Sequence, residues 1–191
     1  MGRDKALLPL SEKPLIQHAV AKLRRICTDV AVLSNNQELA AYAPLVPDLH
    51  PNCGPIGGIE AALAHSSRDW NLILPVDLPF LPATFVHRWA SACYTSPRVK
   101  LAIFSIGERP QPTLLMIHSD LSPHIARAIE NGHHQLFQAL ETAAREIAGQ
   151  QGTPVLQIQP VSPAEAVWFT NLNTPGDHAA AEAHLDLIDP I

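Results

Sequence analysis

An aspartate at the end of an apolar run is the residue best suited to metal chemistry in this sequence. Asp77 follows the largely apolar residues 72–76 and precedes Leu78 and Pro79. A carboxylate at the tip of a strand can hold a hard cation beside phosphate oxygens. Aspartate is also common in turns and at helix N-caps. We favour metal binding, because we expect the preceding strand to be buried on both faces.

A lysine and a glycine cluster are candidates for binding phosphate groups. Lys5 lies just past Gly2 and could neutralise a triphosphate. A lysine near a chain terminus is more often a solvated surface residue, and on its own Lys5 favours that interpretation. Gly54, Gly57 and Gly58 leave backbone amides uncovered at a helix start, which suits an anion. Because such a cluster can equally form only a tight turn, the two interpretations are about balanced.

Two asparagines lie where a strand is predicted to end and a helix to begin. Thr174 suits the N-cap of that helix and Pro175 suits its first position. Capping does not require Asn171 or Asn173, so their amides could bind ligand groups. Asparagine also tolerates turn geometry well, so the sequence is consistent with a purely structural role too.

The overall composition excludes several classes of partner. The chain has 191 residues, of which 47% are hydrophobic, and a formal net charge of -5. This length suits one sizeable core, so we expect a single domain over residues 1–191. The negative charge provides no broad basic face for nucleic acid, and no apolar run reaches the roughly 18 residues of a membrane span. We therefore expect a cytoplasmic protein without a nucleic-acid or membrane partner.

Cysteine and histidine placement disfavours disulfides and a structural zinc site. The three cysteines, Cys27, Cys53 and Cys93, lie far apart and are odd in number. The ten histidines include the adjacent His133 and His134, but no second ligand stands at a convincing helical interval. We expect reduced thiols and no structural zinc.

The elements that must position these residues alternate along the chain. Apolar periodicity and turn residues predict helices over residues 15–26, 37–42, 59–65, 83–93, 121–130, 136–147 and 175–187. Short apolar runs predict strands over residues 30–33, 45–48, 71–76, 100–106, 113–117, 154–158 and 167–170. This alternation predicts an α/β fold with a mostly parallel sheet and helices on both faces. Ligands should then bind at the carboxyl ends of the strands.

Five blocks of sequence carry a resemblance to a known family. They are MGRDKALLPL at residues 1–10, GPIGG at 54–58, PVDLPFLP at 75–82, QPT at 111–113 and NLNTP at 171–175. In this order the chain resembles the molybdenum cofactor guanylyltransferase family over nearly its whole length. The resemblance implies a Rossmann-like nucleotidyltransferase fold. It also implies transfer of GMP from GTP to molybdopterin carrying molybdenum, with release of pyrophosphate and a requirement for Mg²⁺.

The resemblance also implies roles for individual residues. Asp77 matches the family's magnesium-binding aspartate, and Lys5 matches the lysine that contacts the nucleotide phosphates. Asn35 and Asp48 look like the nucleotide-contacting asparagine and second aspartate, although Asn36 leaves the first match uncertain by one residue. Asn171 and Asn173 fall where the family approaches the pterin. GTP and Mo-molybdopterin are the implied substrates, and molybdoenzymes or other cofactor-biosynthesis proteins are candidate partners.

Two departures from the family pattern leave alternatives open. The family has an apolar strand and a Leu-Ala-Gly-Gly-x-Ser-x-Arg loop before the Met-Gly that is residue 1 here, so we expect the first strand to be missing, with the start placed too far downstream. Gln111 stands where the family usually has a histidine. The alternatives are a nucleotidyltransferase that uses CMP or another nucleotide, and a non-catalytic descendant that binds a nucleotide or the cofactor.

Overall fold

The computed structural model describes residues 4–189, in which helices and strands alternate along the chain. The α-helices are α1 (Leu15–Arg24), α2 (Pro55–His65), α3 (Ala83–Thr95), α4 (Ser122–Glu130), α5 (Leu136–Gln151) and α6 (Pro175–Ala181). The strands are β1 (Pro9–Leu10), β2 (Lys13–Pro14), β3 (Val32–Leu33), β4 (Leu45–Val46), β5 (Trp70–Ile73), β6 (Leu101–Ile106), β7 (Arg109–His118) and β8 (Leu156–Pro160). The α/β class predicted from the sequence is confirmed.

The sheets are mixed, so the expectation of a mostly parallel sheet is wrong for the described residues. The largest sheet has the strand order β5-β7-β6-β8, in which β7 is antiparallel to both β5 and β6, and only β6 and β8 are parallel. A separate parallel pair joins β3 to β4, and β1 and β2 form a small antiparallel hairpin. Strands β6 and β7 must be antiparallel because only Gly107 and Glu108 connect them, which is too short for a crossover.

Helices cover both faces of the four-stranded sheet, as the sequence predicts. Alternate residues of β6 and β7 face opposite sides. One face of these strands packs with α2, α4 and α5 in a core that includes Leu101, Ile103, Leu115 and Ile117. The other face packs with α3 in a core that includes Ala102, Phe104, Leu114 and Met116. The sheet therefore has a fixed position between two helical layers.

Strand β5 is less buried than expected. The sequence suggests a central strand over residues 71–76, buried on both faces, but β5 ends at Ile73 and all four of its residues are only partly buried. Within the described residues it pairs with β7 alone, which makes it an end strand of its sheet. The prediction that the family's first strand is missing from this sequence is not tested by the described residues.

Other differences concern short elements. Residues 37–41 and 166–169 form 3-10 helices rather than a helix of α type and a strand. The β1–β2 hairpin, with Ser11 and Glu12 in the left-handed region, has no predicted counterpart. The last helix ends at Ala181 and continues as a 3-10 segment to Leu187. No helix within residues 4–189 has the length and apolar composition needed to cross a membrane.

Candidate active site

Three side chains from distant parts of the chain meet at one point, which we call the lysine cluster. The Nζ atom of Lys5 lies 2.7 Å from Oδ2 of Asp77 and also donates a hydrogen bond to Oδ1 of Asn173. The Lys5 side chain is 32% exposed and that of Asp77 is 22% exposed. A ligand can therefore reach a cation, a carboxylate and an amide at the same place.

Local backbone geometry presents Lys5 and Asp77 to each other. Asp4 caps a 3-10 turn over Lys5–Leu7, since its Oδ1 accepts a hydrogen bond from the amide of Ala6 at 2.9 Å. Asp77 lies four residues beyond the end of β5, and its carbonyl accepts a hydrogen bond from the amide of Leu172 at 3.1 Å. This bond joins the Asp77 loop to the segment that carries Asn173.

A capping box fixes the third member of the cluster. The hydroxyl of Thr174 accepts a hydrogen bond from the amide of Asp177, and the Asp177 carboxylate accepts one from the amide of Thr174. The same carboxylate accepts a hydrogen bond from the amide of Asn173 at 2.8 Å. The amides of Asn173 and Thr174 lower the pKa of the Asp177 carboxyl, because they stabilise its charged form. Thr174 is the N-cap, as the sequence predicts, and the cap holds Asn173 beside Lys5.

A second group lies just beyond the ends of the parallel strands β3 and β4. Asn35 follows β3 and Asp48 follows β4, each by two residues. The amide group of Asn35 donates a hydrogen bond to Oδ2 of Asp48 at 3.2 Å, and its Oδ1 accepts one from the Asp48 backbone amide, also at 3.2 Å. The two residues therefore hold each other in one orientation, which we call the Asn35–Asp48 pair.

One hydrogen bond connects the two groups. Oδ2 of Asp4 accepts a hydrogen bond from the side-chain amide of Asn36 at 2.8 Å. Asp4 precedes Lys5, and Asn36 follows Asn35, so the bond ties the turn that carries the lysine to the loop that carries the pair. The two groups are thus parts of one connected edge of the molecule.

Two residues singled out in the sequence lie apart from these contacts. Asn171 is exposed, and no hydrogen bond of its side chain to the lysine cluster is found within residues 4–189. Gln111 lies on β7, and its side chain donates a long hydrogen bond of 3.4 Å to the Arg109 carbonyl. The structure therefore brings together Lys5, Asp77 and Asn173, but not Asn171.

Within the glycine cluster, Gly57 and Gly58 pack against neighbouring residues, whereas Gly54 is exposed. Gly54 is the N-cap of α2 with a φ of 67°, which favours glycine. The Gly57 amide donates a hydrogen bond to the Gly54 carbonyl at 3.1 Å, so it is already occupied. A Cβ on Gly57 would lie 3.2 Å from Cβ of Cys53, and one on Gly58 would lie 3.8 Å from Oδ1 of Asp48. The tight-turn interpretation is favoured at Gly57, and Gly58 lets α2 approach Asp48.

The donor set fits a magnesium ion held together with a nucleotide. Residues 4–189 contain no group of three or more His, Cys, Asp or Glu side chains able to enclose a metal. Mg²⁺ is usually bound by one or two carboxylates, phosphates and water rather than by a cage of protein ligands. Asp77 is partly exposed, and within the described residues Oδ1 of Asp77 accepts no protein hydrogen bond. A single such carboxylate is compatible with this mode of binding.

Three supporting residues were not singled out in the sequence. Asp177 had a recognisable signal, since Thr174 and an acidic residue three positions later form a capping-box pattern. Lys22 donates hydrogen bonds to the carbonyls of Leu78 and Pro79, just after Asp77. It had a signal too, because it follows Leu15 by seven residues and so lies on the apolar face of α1. Asp4 had none, because its partner Asn36 is 32 residues away and only the fold brings them together.

In this α/β fold a lysine, carboxylates and side-chain amides lie together beyond the strand ends. This arrangement is typical of nucleotide-binding transferases. Residues 1–146 match the sequence model of the MobA-like NTP transferase domain. A molybdenum cofactor guanylyltransferase of Serratia proteamaculans is 33% identical over 185 residues, which cover 92% of this chain and 84% of that protein. The chain belongs to the MobA-like NTP transferase family.

Solved structures show the same fold. Molybdopterin-guanine dinucleotide biosynthesis protein A from Archaeoglobus fulgidus superposes with a TM-score of 0.76 and 23% identity, over 97% of this chain and 92% of that one. The 2-C-methyl-D-erythritol 4-phosphate cytidylyltransferase from Thermus thermophilus has a TM-score of 0.64 and 20% identity, over 95% and 94% of the two chains. The single-domain nucleotidyltransferase fold predicted from the sequence is thereby confirmed.

Proposed function

We propose that this protein transfers GMP from GTP to Mo-molybdopterin and releases pyrophosphate. The observation that carries the proposal is the lysine cluster, in which residues 5, 77 and 173 of a nucleotidyltransferase fold converge on one exposed point. The name of the Serratia relative, a molybdenum cofactor guanylyltransferase, supports the choice of substrates. The cytidylyltransferase likeness concerns the fold alone and does not favour CTP.

The two groups take different parts of the substrates in this proposal. Lys5 binds the nucleotide phosphates, and Asp77 acts with it at the reacting end. Asn35 and Asp48 contact the rest of the nucleotide, where their fixed carboxylate and amide oxygens can accept hydrogen bonds. Asn173 and Asn171 are assigned to the pterin side from the family resemblance, and the hydrogen bond between Lys5 and Asn173 places Asn173 beside the reacting end.

Asp77 is the residue that would hold Mg²⁺. When bound there, the ion would neutralise charge on the phosphate oxygens of GTP. Asp77 forms an ion pair with Lys5, and both side chains are partly exposed. A bound triphosphate would give Lys5 a second anionic partner, and the Asp77 carboxylate would then be able to hold Mg²⁺.

The chemical step is an in-line displacement at phosphorus. A terminal phosphate oxygen of the pterin forms a bond to the α-phosphorus of GTP, and the bond from that phosphorus to the bridging oxygen breaks. The pyrophosphate leaves with the electron pair, and Lys5 offsets the charge that develops on it. The protein has to align two substrates rather than form a covalent intermediate. A cluster drawn from three segments suits that task.

Three further expectations belong to this proposal. The chain acts as one domain over residues 1–191, it works in the cytoplasm as the sequence favours, and it passes its product to molybdoenzymes or other cofactor-biosynthesis proteins. None of the charge or composition features suggests a nucleic-acid or membrane partner.

A product assay tests the proposed function directly. The chain is incubated with Mo-molybdopterin, Mg²⁺ and either GTP or CTP labelled on the α-phosphate. The expected result is label in a pterin dinucleotide with GTP and little with CTP. Transfer from CTP with little from GTP would replace guanylyl by cytidylyl transfer, and equal transfer from both would contradict selectivity for guanine. Binding of GTP without any transfer would favour a non-catalytic descendant.

A further inference from the structure

A buried lysine lies behind the loop that carries Asp77. Lys22, in the third turn of α1, is 3% exposed. Its Nζ donates hydrogen bonds to the carbonyl of Leu78 at 3.3 Å and to the carbonyl of Pro79 at 3.0 Å. Within residues 4–189 no carboxylate lies within ion-pair distance of this ammonium group. Its nearest partners are therefore the two peptide oxygens that follow Asp77.

The position is energetically unfavourable for a cation. Removing an ammonium group from water costs several kcal/mol unless it gains compensating partners. Burial lowers the pKa of Lys22 to about 8, and the negative charge of Asp189 opposes that shift. His18 on the same helix and Arg25 at its C-cap add no negative charge to the surroundings. An apolar residue would fill this part of α1 without such a penalty, so the lysine calls for a specific role.

The loop that Lys22 contacts is also held from its other side. The Asp77 carbonyl accepts a hydrogen bond from the Leu172 amide, and the Leu78 carbonyl also accepts a 3.4 Å bond from the Leu81 amide. Leu78, Phe80 and Leu81 are buried, so their side chains anchor the loop below the site. Lys22 adds two hydrogen bonds to the carbonyls of Leu78 and Pro79, the two residues that follow Asp77.

The C-terminal segment completes this arrangement. Oδ2 of Asp189 accepts a hydrogen bond from the Ala83 amide at the start of α3, at 2.7 Å. Its Oδ1 lies 3.6 Å from Nη1 of Arg25. Asp189 therefore fixes the far end of the same loop, 106 residues away in sequence, and places a negative charge near Lys22.

We propose that Lys22 is a positioning residue, whose bonds to the Leu78 and Pro79 carbonyls set the direction in which the loop presents the Asp77 carboxylate. Its effect on magnesium rests on the proposed function, in which Asp77 holds the ion. Its effect on the loop does not, because the hydrogen bonds to the Leu78 and Pro79 carbonyls involve residues of this chain alone. Supporting residues of this kind typically change metal affinity by about tenfold or more when they are replaced.

The test compares Lys22→Met with Arg24→Met, a matched control on the same helix. Arg24 also donates to a backbone carbonyl, that of Tyr42 at 2.8 Å, but away from the Asp77 loop. Amide hydrogen exchange of Leu78, Phe80 and Leu81 is measured without ligands, and the Mg²⁺ concentration for half-maximal GMP transfer is measured separately. In Lys22→Met we expect local exchange about tenfold faster and a half-maximal Mg²⁺ concentration about tenfold higher. The kcat at saturating Mg²⁺ and both readouts of Arg24→Met should stay near wild type.

Other results overturn the inference. One such result is a folded Lys22→Met variant whose local amide exchange and Mg²⁺ dependence equal those of wild type. Another is amide exchange that is faster over the whole chain of the variant, with no change in its Mg²⁺ dependence. If Lys22→Met does not fold, the same two measurements are made on Lys22→Gln, with Lys22→Arg expected to restore part of the effect. If the wild-type chain transfers no GMP, the proposed function fails, and the exchange measurement alone decides the role of Lys22.

Discussion

The lysine cluster and the Asn35–Asp48 pair each place an aspartate just past the end of a strand, but they give it different neighbours. Asp77 faces the ammonium group of Lys5, whereas Asp48 faces the amide of Asn35. The negative charge of a carboxylate beside a cation is offset by that cation. When a ligand binds, the carboxylate can bind a metal ion instead, and the cation can bind a phosphate group. A carboxylate fixed by an amide presents hydrogen-bond acceptors in one direction. We infer that the first group acts on the reacting phosphates and the second on recognition of the nucleotide.

Substitution of Asp77 should have the largest effect and so tests the difference between the two groups most strongly. We expect Asp77→Ala to reduce the rate of GMP transfer by about 10³-fold or more, because it removes the carboxylate that we propose holds Mg²⁺ at the reacting phosphates. The fold should survive, since the side chain is partly exposed. Initial rates at saturating Mg²⁺ and circular dichroism measure the two effects. Asp29→Ala is the control, because Asp29 forms an exposed ion pair with Arg68. An Asp77→Ala variant with normal activity and normal Mg²⁺ dependence would refute the assignment.

Lys5 should have the next largest effect. We expect Lys5→Met to lower kcat by about 10²-fold, since the charge that develops on the leaving pyrophosphate loses its cationic partner. Steady-state kinetics with GTP measure this loss. Lys13→Met removes a partly buried lysine of β2 that is outside both groups and should leave kcat unchanged. Equal kcat values for the two variants would contradict a role for Lys5 in the chemical step.

A smaller and different effect is expected at Asp48. Asp48→Asn should raise the KM for GTP by about tenfold with little change in kcat, because one charge-assisted hydrogen bond to the nucleotide is lost. Asp69→Asn, a change at an exposed aspartate that precedes β5, is the control. A large fall in kcat at unchanged KM would mean that Asp48 belongs with Asp77 at the reacting end, and the division between the two groups would be wrong.

The sequence predicted the α/β alternation well, because apolar runs and turn residues are local signals. It could not predict the strand order, since the antiparallel placement of β7 depends on the two-residue connection Gly107–Glu108 and on pairing with β5 from far along the chain. The 3-10 helix over Ala166–Phe169 was predicted as a strand because its short apolar run has no clear period.

The candidate site was predictable only in part. Asp77 and Lys5 could be named from their surroundings and from the family resemblance. Their ion pair and the contact with Asn173 depend on side chains 72 and 168 residues apart, which only the fold brings together. The network behind the site was missed for the same reason. Lys22 contacts Leu78 and Pro79 across 56 and 57 residues.

The smallest expected effect concerns the segment after Asp48, where a histidine should make the free energy of unfolding depend on pH. Nδ1 of His50 lies 2.8 Å from Oε2 of the buried Glu60, and this hydrogen bond raises the pKa of His50. Because the pKa of His50 is higher in the folded than in the unfolded chain, protonated His50 stabilises the fold. This contribution to the free energy of unfolding is fully present below the ordinary histidine pKa of about 6.5 and is lost as the pH rises through the raised pKa. We expect the difference in unfolding free energy between wild type and His50→Gln to be largest below about pH 6.5 and to shrink as the pH rises above it.

Denaturant unfolding at several pH values measures that difference. His87→Gln, which replaces an exposed histidine of α3, is the control and should show no such trend. A difference that grows with pH would contradict the assigned link between His50 and Glu60. The effect concerns the stability of the segment after Asp48 and should leave kcat unchanged.

Calorimetric titration of GTP into the wild-type chain and into Asp77→Ala, each with and without Mg²⁺, tests the central claim most directly. If the lysine cluster is the metal and phosphate centre, wild type binds GTP more tightly with Mg²⁺ than without it, and Asp77→Ala loses that difference. GTP affinity that does not depend on Mg²⁺ in wild type, or that keeps its full Mg²⁺ dependence in Asp77→Ala, would contradict the account.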